Sequence, residues 1–100
     1  MKRLINYRDE TVFLSPATLL HIEEAHPEIS LLLIAQTLKE PDEVRTSSHR
    51  SDSELYYLAR VKDRYICVVV KNCAEGNFIA TALTASKPKA GKIIYQKKRA

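Results

Sequence analysis

Near Pro41 the spacing of apolar residues along this chain changes from a helical period to a strand period. Ser15-Pro16 predicts a helix start, with serine as N-cap and proline at the first helical position. Ala17, Leu19, Leu20, Ile22 and Ala25 carry that helix to His26, which precedes Pro27 and is therefore turned away from helical angles. Pro27 predicts the opening of a second helix, with Glu28 near the positive end of its dipole. Leu31, Ile34, Ala35 and Leu38 then fall at i, i+3, i+4 and i+7, the stripe of a buried face, and Glu40-Pro41 closes it. Ahead of the helices, Lys2 to Tyr7 and Thr11 to Leu14 have the makings of a short hairpin around Arg8-Asp9-Glu10.

Beyond Pro41 the pattern is that of strands. Val44 to Thr46 reads as a strand stub, residues 47–53 as a polar loop, and Glu54 to Val61 as a strand. Lys62-Asp63 would be a two-residue turn, although it lacks the glycine such turns favour. Arg64 to Lys71 is apolar on both faces, as a central strand is. Residues 72–76 turn, Asn77 to Thr84 returns, and Lys92 to Lys97 reads as a last strand. This predicts an α+β fold in one domain, 1–100. Two short N-terminal helices would pack on one face of an antiparallel sheet of about four strands. Pairing 61 with 64 and 72 with 77 would send Leu55, Tyr57, Ala59, Val68, Ile79 and Thr81 under the helices. The same register would turn Tyr56, Arg60, Tyr65, Lys71 and Phe78 outward. A single bulge would flip part of this assignment.

Composition narrows the function. Hydrophobic residues make up 45% and charged residues 28%, the balance of a globular domain. No apolar run reaches membrane-span length, and the basic N-terminus has no signal-peptide core behind it. Cys67 and Cys73, with no second pair, fit neither a zinc site nor a disulfide scaffold and read as reduced thiols of a cytoplasmic protein. The net charge of +4 is unevenly spread. Residues 1–44 carry four basic and eight acidic side chains, whereas residues 45–100 carry twelve and four. From Ser86 onward there are six basic residues and no acid, so a phosphate-bearing partner would meet the second half.

Candidate chemistry gathers at His21 and His26, the imidazoles framing the helix break. Their separation points them roughly 140° apart on a helix, unlike the i, i+4 pair of zinc proteases, so no metal or other cofactor is expected. A packing histidine and a turn-fixing histidine are the structural alternatives. His49, in a polar loop, reads as solvated. Metal-independent cleavage of RNA by its own 2′-hydroxyl needs a base, an acid and a cation, which histidine with Lys or Arg supplies near neutral pH. Arg60, Lys71, Tyr56, Lys87 and Lys89 are candidate nucleic-acid contacts, and Thr81 a hydroxyl to orient phosphate. The alternatives are a non-catalytic nucleic-acid-binding module and a protein-interaction domain.

The order of motifs is more specific than any one of them. His-Ile-x-x-x-His-Pro-Glu-Ile at 21–29 is followed by Thr-Leu-Lys-Glu-Pro-Asp-Glu-Val at 37–44, then Tyr56-Tyr57, Val68-Val69-Val70-Lys71, Phe78-Ile79-Ala80-Thr81-Ala82 and Gly91-Lys92-Ile93-Ile94-Tyr95. Over nearly its whole length the chain resembles the phage-associated barnase–EndoU–colicin–RelE-like nucleases. The resemblance implies helices on an antiparallel sheet, a toxin-type endoribonuclease activity, RNA as partner and an antitoxin-like protein as a further one. It also implies an active group of His21 or His26, Arg60 or Lys71, and Thr81. Leu83 stands where the pattern commonly has tyrosine, which removes a base-stacking or acid group.

Overall fold

The computed structural model describes residues 1–61 and 63–98. Nine elements follow one another: β1 (Lys2–Ile5), β2 (Thr11–Leu14), α1 (Pro16–Ala25), α2 (Leu31–Lys39), β3 (Glu43–Thr46), β4 (Ser53–Arg60), β5 (Arg64–Cys73), β6 (Gly76–Ala85) and β7 (Ile93–Gln96). The strands form one sheet in the order β1-β2-β6-β5-β4-β3-β7. All neighbours are antiparallel except β2 and β6, which run parallel. This corrects the expected antiparallel sheet of about four strands under two N-terminal helices: there are seven strands and the sheet is mixed, and the hairpin expected ahead of the helices is part of it. The three strands beyond the four-strand outline, β1, β2 and β3, have four residues each. Alternation barely registers over that length, and such strands are held by partners distant in sequence.

The local signals of the helices are largely realised. Ser15 Oγ accepts the Thr18 N–H at 3.1 Å and Pro16 occupies the first turn. Helix α1 ends with His26 as C-cap, whose N–H donates to the Ile22 carbonyl. The second helix starts later than Pro27 predicts. Ser30 is its N-cap, accepting the Leu33 N–H, while Pro27 and Glu28 stay in the connecting turn. Ile29 is buried in that connection and joins the core.

Two apolar clusters lie on opposite faces of the sheet. The larger gathers Ile22, Ile34 and Leu38 from the helices with Tyr56, Leu58, Val68, Val70, Ile79 and Ala82 from the strands. Each of the aliphatic side chains from valine to leucine among them contributes roughly 1.5–3 kcal/mol by leaving water. The smaller, on the face turned away from the helices, holds Leu55, Tyr57 and Cys67, with Tyr65, Val69 and Leu83 against them. The expected assignment is thus reversed for β4: Tyr56 and Leu58 face the helices, and Leu55 and Tyr57 face outward. The cause is the β4–β5 connection. Arg60 pairs with Arg64, so three residues rather than two span the turn, and Asp63 adopts the left-handed φ of 57° common in three-residue loops. Lys62, half of the predicted turn, lies outside the described residues.

The sheet curls around α2, which packs on β1, β4 and β5. Its two ends meet: Tyr7, in the β1–β2 turn, lies 4.3 Å from Tyr95 of β7 between ring centroids. Beneath this contact Asn6, 1% exposed, donates to the Tyr56 hydroxyl at 3.1 Å and to Glu10 Oε1 at 2.9 Å. Its Oδ1 accepts the N–H groups of Arg8 and Glu10, which closes the turn. Arg8 in turn donates to Glu54 Oε1 at 3.1 Å. The β1–β2 hairpin is therefore tied to the opposite half of the sheet by a satisfied polar network.

Candidate nucleic-acid interface

The face turned away from the helices is shaped by one bulge and one crossing loop. Val70 pairs with Ile79, but Val69 pairs with Thr81, so β6 accommodates Ala80 as an extra residue. Downstream of it Ala82 joins the helix-side core, and Thr81 and Leu83 point to the other face. Lys71, in register with Phe78, is on that face too. The simple register buried Thr81 under the helices; the bulge instead places it on the same face as Lys71.

After β6 the chain crosses this face to reach β7 at the far edge. The Lys89 N–H donates to the Tyr57 hydroxyl at 3.0 Å, and Arg45 donates to the Lys89 carbonyl at 2.9 Å. Thr46 and Lys92 exchange hydrogen bonds at the end of the crossing. Gly91 is required there: with φ 158°, an added Cβ would lie 2.1 Å from the Thr46 carbonyl oxygen. The crossing loop walls a groove of about 620 Å³, lined by His49, Leu83, Thr84, Lys87, Pro88 and Lys89 among others.

The groove's charge is positive. Arg45 is engaged by Glu43, but no ion pair among the described residues involves Lys71, Lys87 or Lys89. The layer beneath is inert. Burial pushes the Cys67 thiol up to about 11 and the Tyr57 phenol up to about 12, the latter despite the Lys89 amide that favours its anion. Neither is a nucleophile near neutrality.

The sequence-predicted residues divide between the faces. Lys71, Thr81, Lys87 and Lys89 share the open one. His21 is exposed on α1 and His26 is the half-buried cap of that helix, its Nδ1 3.6 Å from Glu28 Oε2. Both belong to the helical layer, so the structure does not bring them together with Thr81 in one cleft. Tyr56 is fully buried toward the helices, where burial raises its phenol further than that of Tyr57, and it has no surface to present to a nucleic acid. Arg60 is exposed at the β4–β5 tip beside Arg64. His49, read from the sequence as solvated, is exposed, and it lines the groove together with Lys87 and Lys89. Its Thr-Ser-Ser-His-Arg-Ser setting carries no motif, and only the folding of the β3–β4 loop brings it to Lys87 and Lys89.

An α+β domain with an open, cationic sheet face is of the kind that handles phosphodiester backbones. The chain belongs to the family described as phage-Barnase-EndoU-ColicinE5/D-RelE like nuclease2, whose model matches residues 2–99. It is thus a nuclease-like domain. No curated protein and no solved structure matches the chain significantly. Among the described residues no helix is long and apolar enough to cross a membrane.

Proposed function

We propose that the chain is a toxin-type endoribonuclease domain that cleaves RNA on the sheet face turned away from its helices, without a metal ion. The observation that carries this reading is the groove in which His49 meets Lys87 and Lys89, with Thr81 and Lys71 on the same face. In the reaction, His49 takes the 2′-hydroxyl proton as that oxygen bonds to the adjacent phosphorus. The P–O5′ bond breaks, and the leaving oxygen takes a proton from water in the open groove. Lys87 and Lys89 stabilise the charge that builds on the phosphorane oxygens, and the Thr81 hydroxyl orients the phosphate. One imidazole in place of two makes this a modest catalyst. A silencing protein partner would need acidic side chains to meet the same lysines.

The test is incubation of the purified chain with mixed RNA in EDTA across pH 5–8. Products ending in 2′,3′-cyclic phosphate and 5′-hydroxyl groups are expected. Salt-sensitive binding without any cleavage at high protein excess would leave a binding module instead.

A further inference from the structure

The chain has two phenylalanines, and both lie outside its two apolar clusters. Phe13 of β2 and Phe78 of β6 are register partners across the parallel pair, with ring centroids 5.4 Å apart and planes tilted by 32°. Alternation fixes their direction. Val12, Leu14 and Ile79 enter the helix-side core, so Phe13 and Phe78 point to the open face, where both are half-buried. The flanking strands continue the row. Arg3 stands opposite Phe13 and Lys71 opposite Phe78, both exposed. Four adjacent strands therefore carry Arg3, Phe13, Phe78 and Lys71 in line, with the two cations roughly 14 Å apart at ordinary strand spacing. Gly76 keeps the place open: a Cβ there would come within 3.2 Å of the Phe13 ring.

Aromatic surface held out of a core is costly unless something covers it, since such rings are the largest apolar groups a fold can bury. The occupant that matches flat rings between two cations is an unpaired base with its neighbouring phosphates. A duplex keeps its base faces stacked and offers only the phosphates. The row is continuous with the groove, because Phe78 and Thr81 point to the same face of one strand, about 10 Å apart.

We infer that Phe13 and Phe78 form a stacking platform for one unpaired base, with the flanking phosphates held by Arg3 and Lys71. This rests on the RNA reading of the groove and narrows its substrate to single-stranded RNA entering along β6.

Fluorescence anisotropy with a labelled oligouridylate, and with an RNA duplex of equal length, tests this on the full chain. The native protein binds the single strand more tightly. The Phe13→Leu, Phe78→Leu double variant keeps apolar bulk without a stacking face. It weakens single-strand binding about tenfold and leaves duplex binding unchanged. Should that variant fail to fold, Phe78→Trp provides the second readout. The chain has no other tryptophan, and its fluorescence is quenched when the oligouridylate stacks. A folded double variant with native single-strand affinity, or a tryptophan blind to the oligonucleotide, overturns the platform. If in that case Lys87→Ala with Lys89→Ala still abolishes binding, the groove reading stands alone. A native protein with no affinity for either RNA overturns both.

Discussion

Thr81 lies opposite Val69, whereas two residues earlier Ile79 lies opposite Val70. The extra residue between these pairs, Ala80, decides which face of the sheet holds a hydroxyl beside Lys71. If Thr81 orients phosphate there, Thr81→Val removes one hydrogen bond to a charged oxygen while keeping the shape. RNA cleavage should fall about tenfold, with stability within about 0.5 kcal/mol of the native chain. Cleavage rates and thermal melts of the two proteins check this together.

The three histidines separate by face, and their variants should separate by activity. His49→Ala should lower cleavage about a hundredfold or more, the usual contribution of a positioned base. His21→Ala should leave the rate unchanged, because His21 stands on the helical layer. His26→Ala should cost some stability through the α1–α2 turn and little activity. Initial rates on one RNA in EDTA rank the three.

Asn6 connects the β1–β2 turn to Tyr56 through two donors and two accepted N–H groups. Asn6→Ala leaves buried polar groups without partners and should cost about 2–3 kcal/mol. Tyr56→Phe leaves Asn6 its Glu10 partner and should cost about 1 kcal/mol. Urea unfolding measures both, and RNA affinity should not follow the stability loss, since this network lies away from the groove.

Alkaline pH should destabilise the domain, first through Cys67 on the open face and then through the buried phenols of Tyr57 and Tyr56. Burial raises Cys67 from its ordinary 9.0 to about 11 and Tyr57 from 10.0 to about 12, so the folded state holds both protons more tightly than the unfolded chain. Stability is therefore full below pH 9 and is lost as pH rises, first from Cys67 between about 9 and 11, then from Tyr57 and Tyr56 above about 10. The Cys67 part amounts to roughly 2 kcal/mol by pH 11. Unfolding free energies from pH 7 to 11 should show this decline, and Cys67→Val should remove its first part.

The helices were legible because their signals are local: the Ser15 cap and Pro16 at the first turn of α1, and the apolar stripe of α2, whose start at Ser30 rather than Pro27 was not read. The long strands were legible as apolar runs. What decides the site was not, because each determinant is a count of one. A third residue in the β4–β5 turn exchanged Tyr57 for Tyr56 at the core, and one bulged residue moved Thr81 to the open face. Neither Asp63 nor Ala80 carries a side chain that announces this. Tyr7 and Tyr95 illustrate the same limit for the short strands, whose partners lie at the other end of the chain. His49 is exposed, as its polar loop implies, but its place in one groove with Lys87 and Lys89 depends on the chain from Ser86 to Lys92 crossing toward it, which no local signal announces.

RNA bound on the face turned away from the helices should perturb the backbone of that face. Titrating the isotopically labelled chain with a short single-stranded RNA, and following amide shifts by NMR, tests it most directly. Shifts concentrated at Lys71, Thr81, Leu83, Lys87 and Lys89, with His49 joining them, are the predicted result. Shifts centred on His21, His26 and the outer surfaces of α1 and α2, with the β6 amides unmoved, would contradict it.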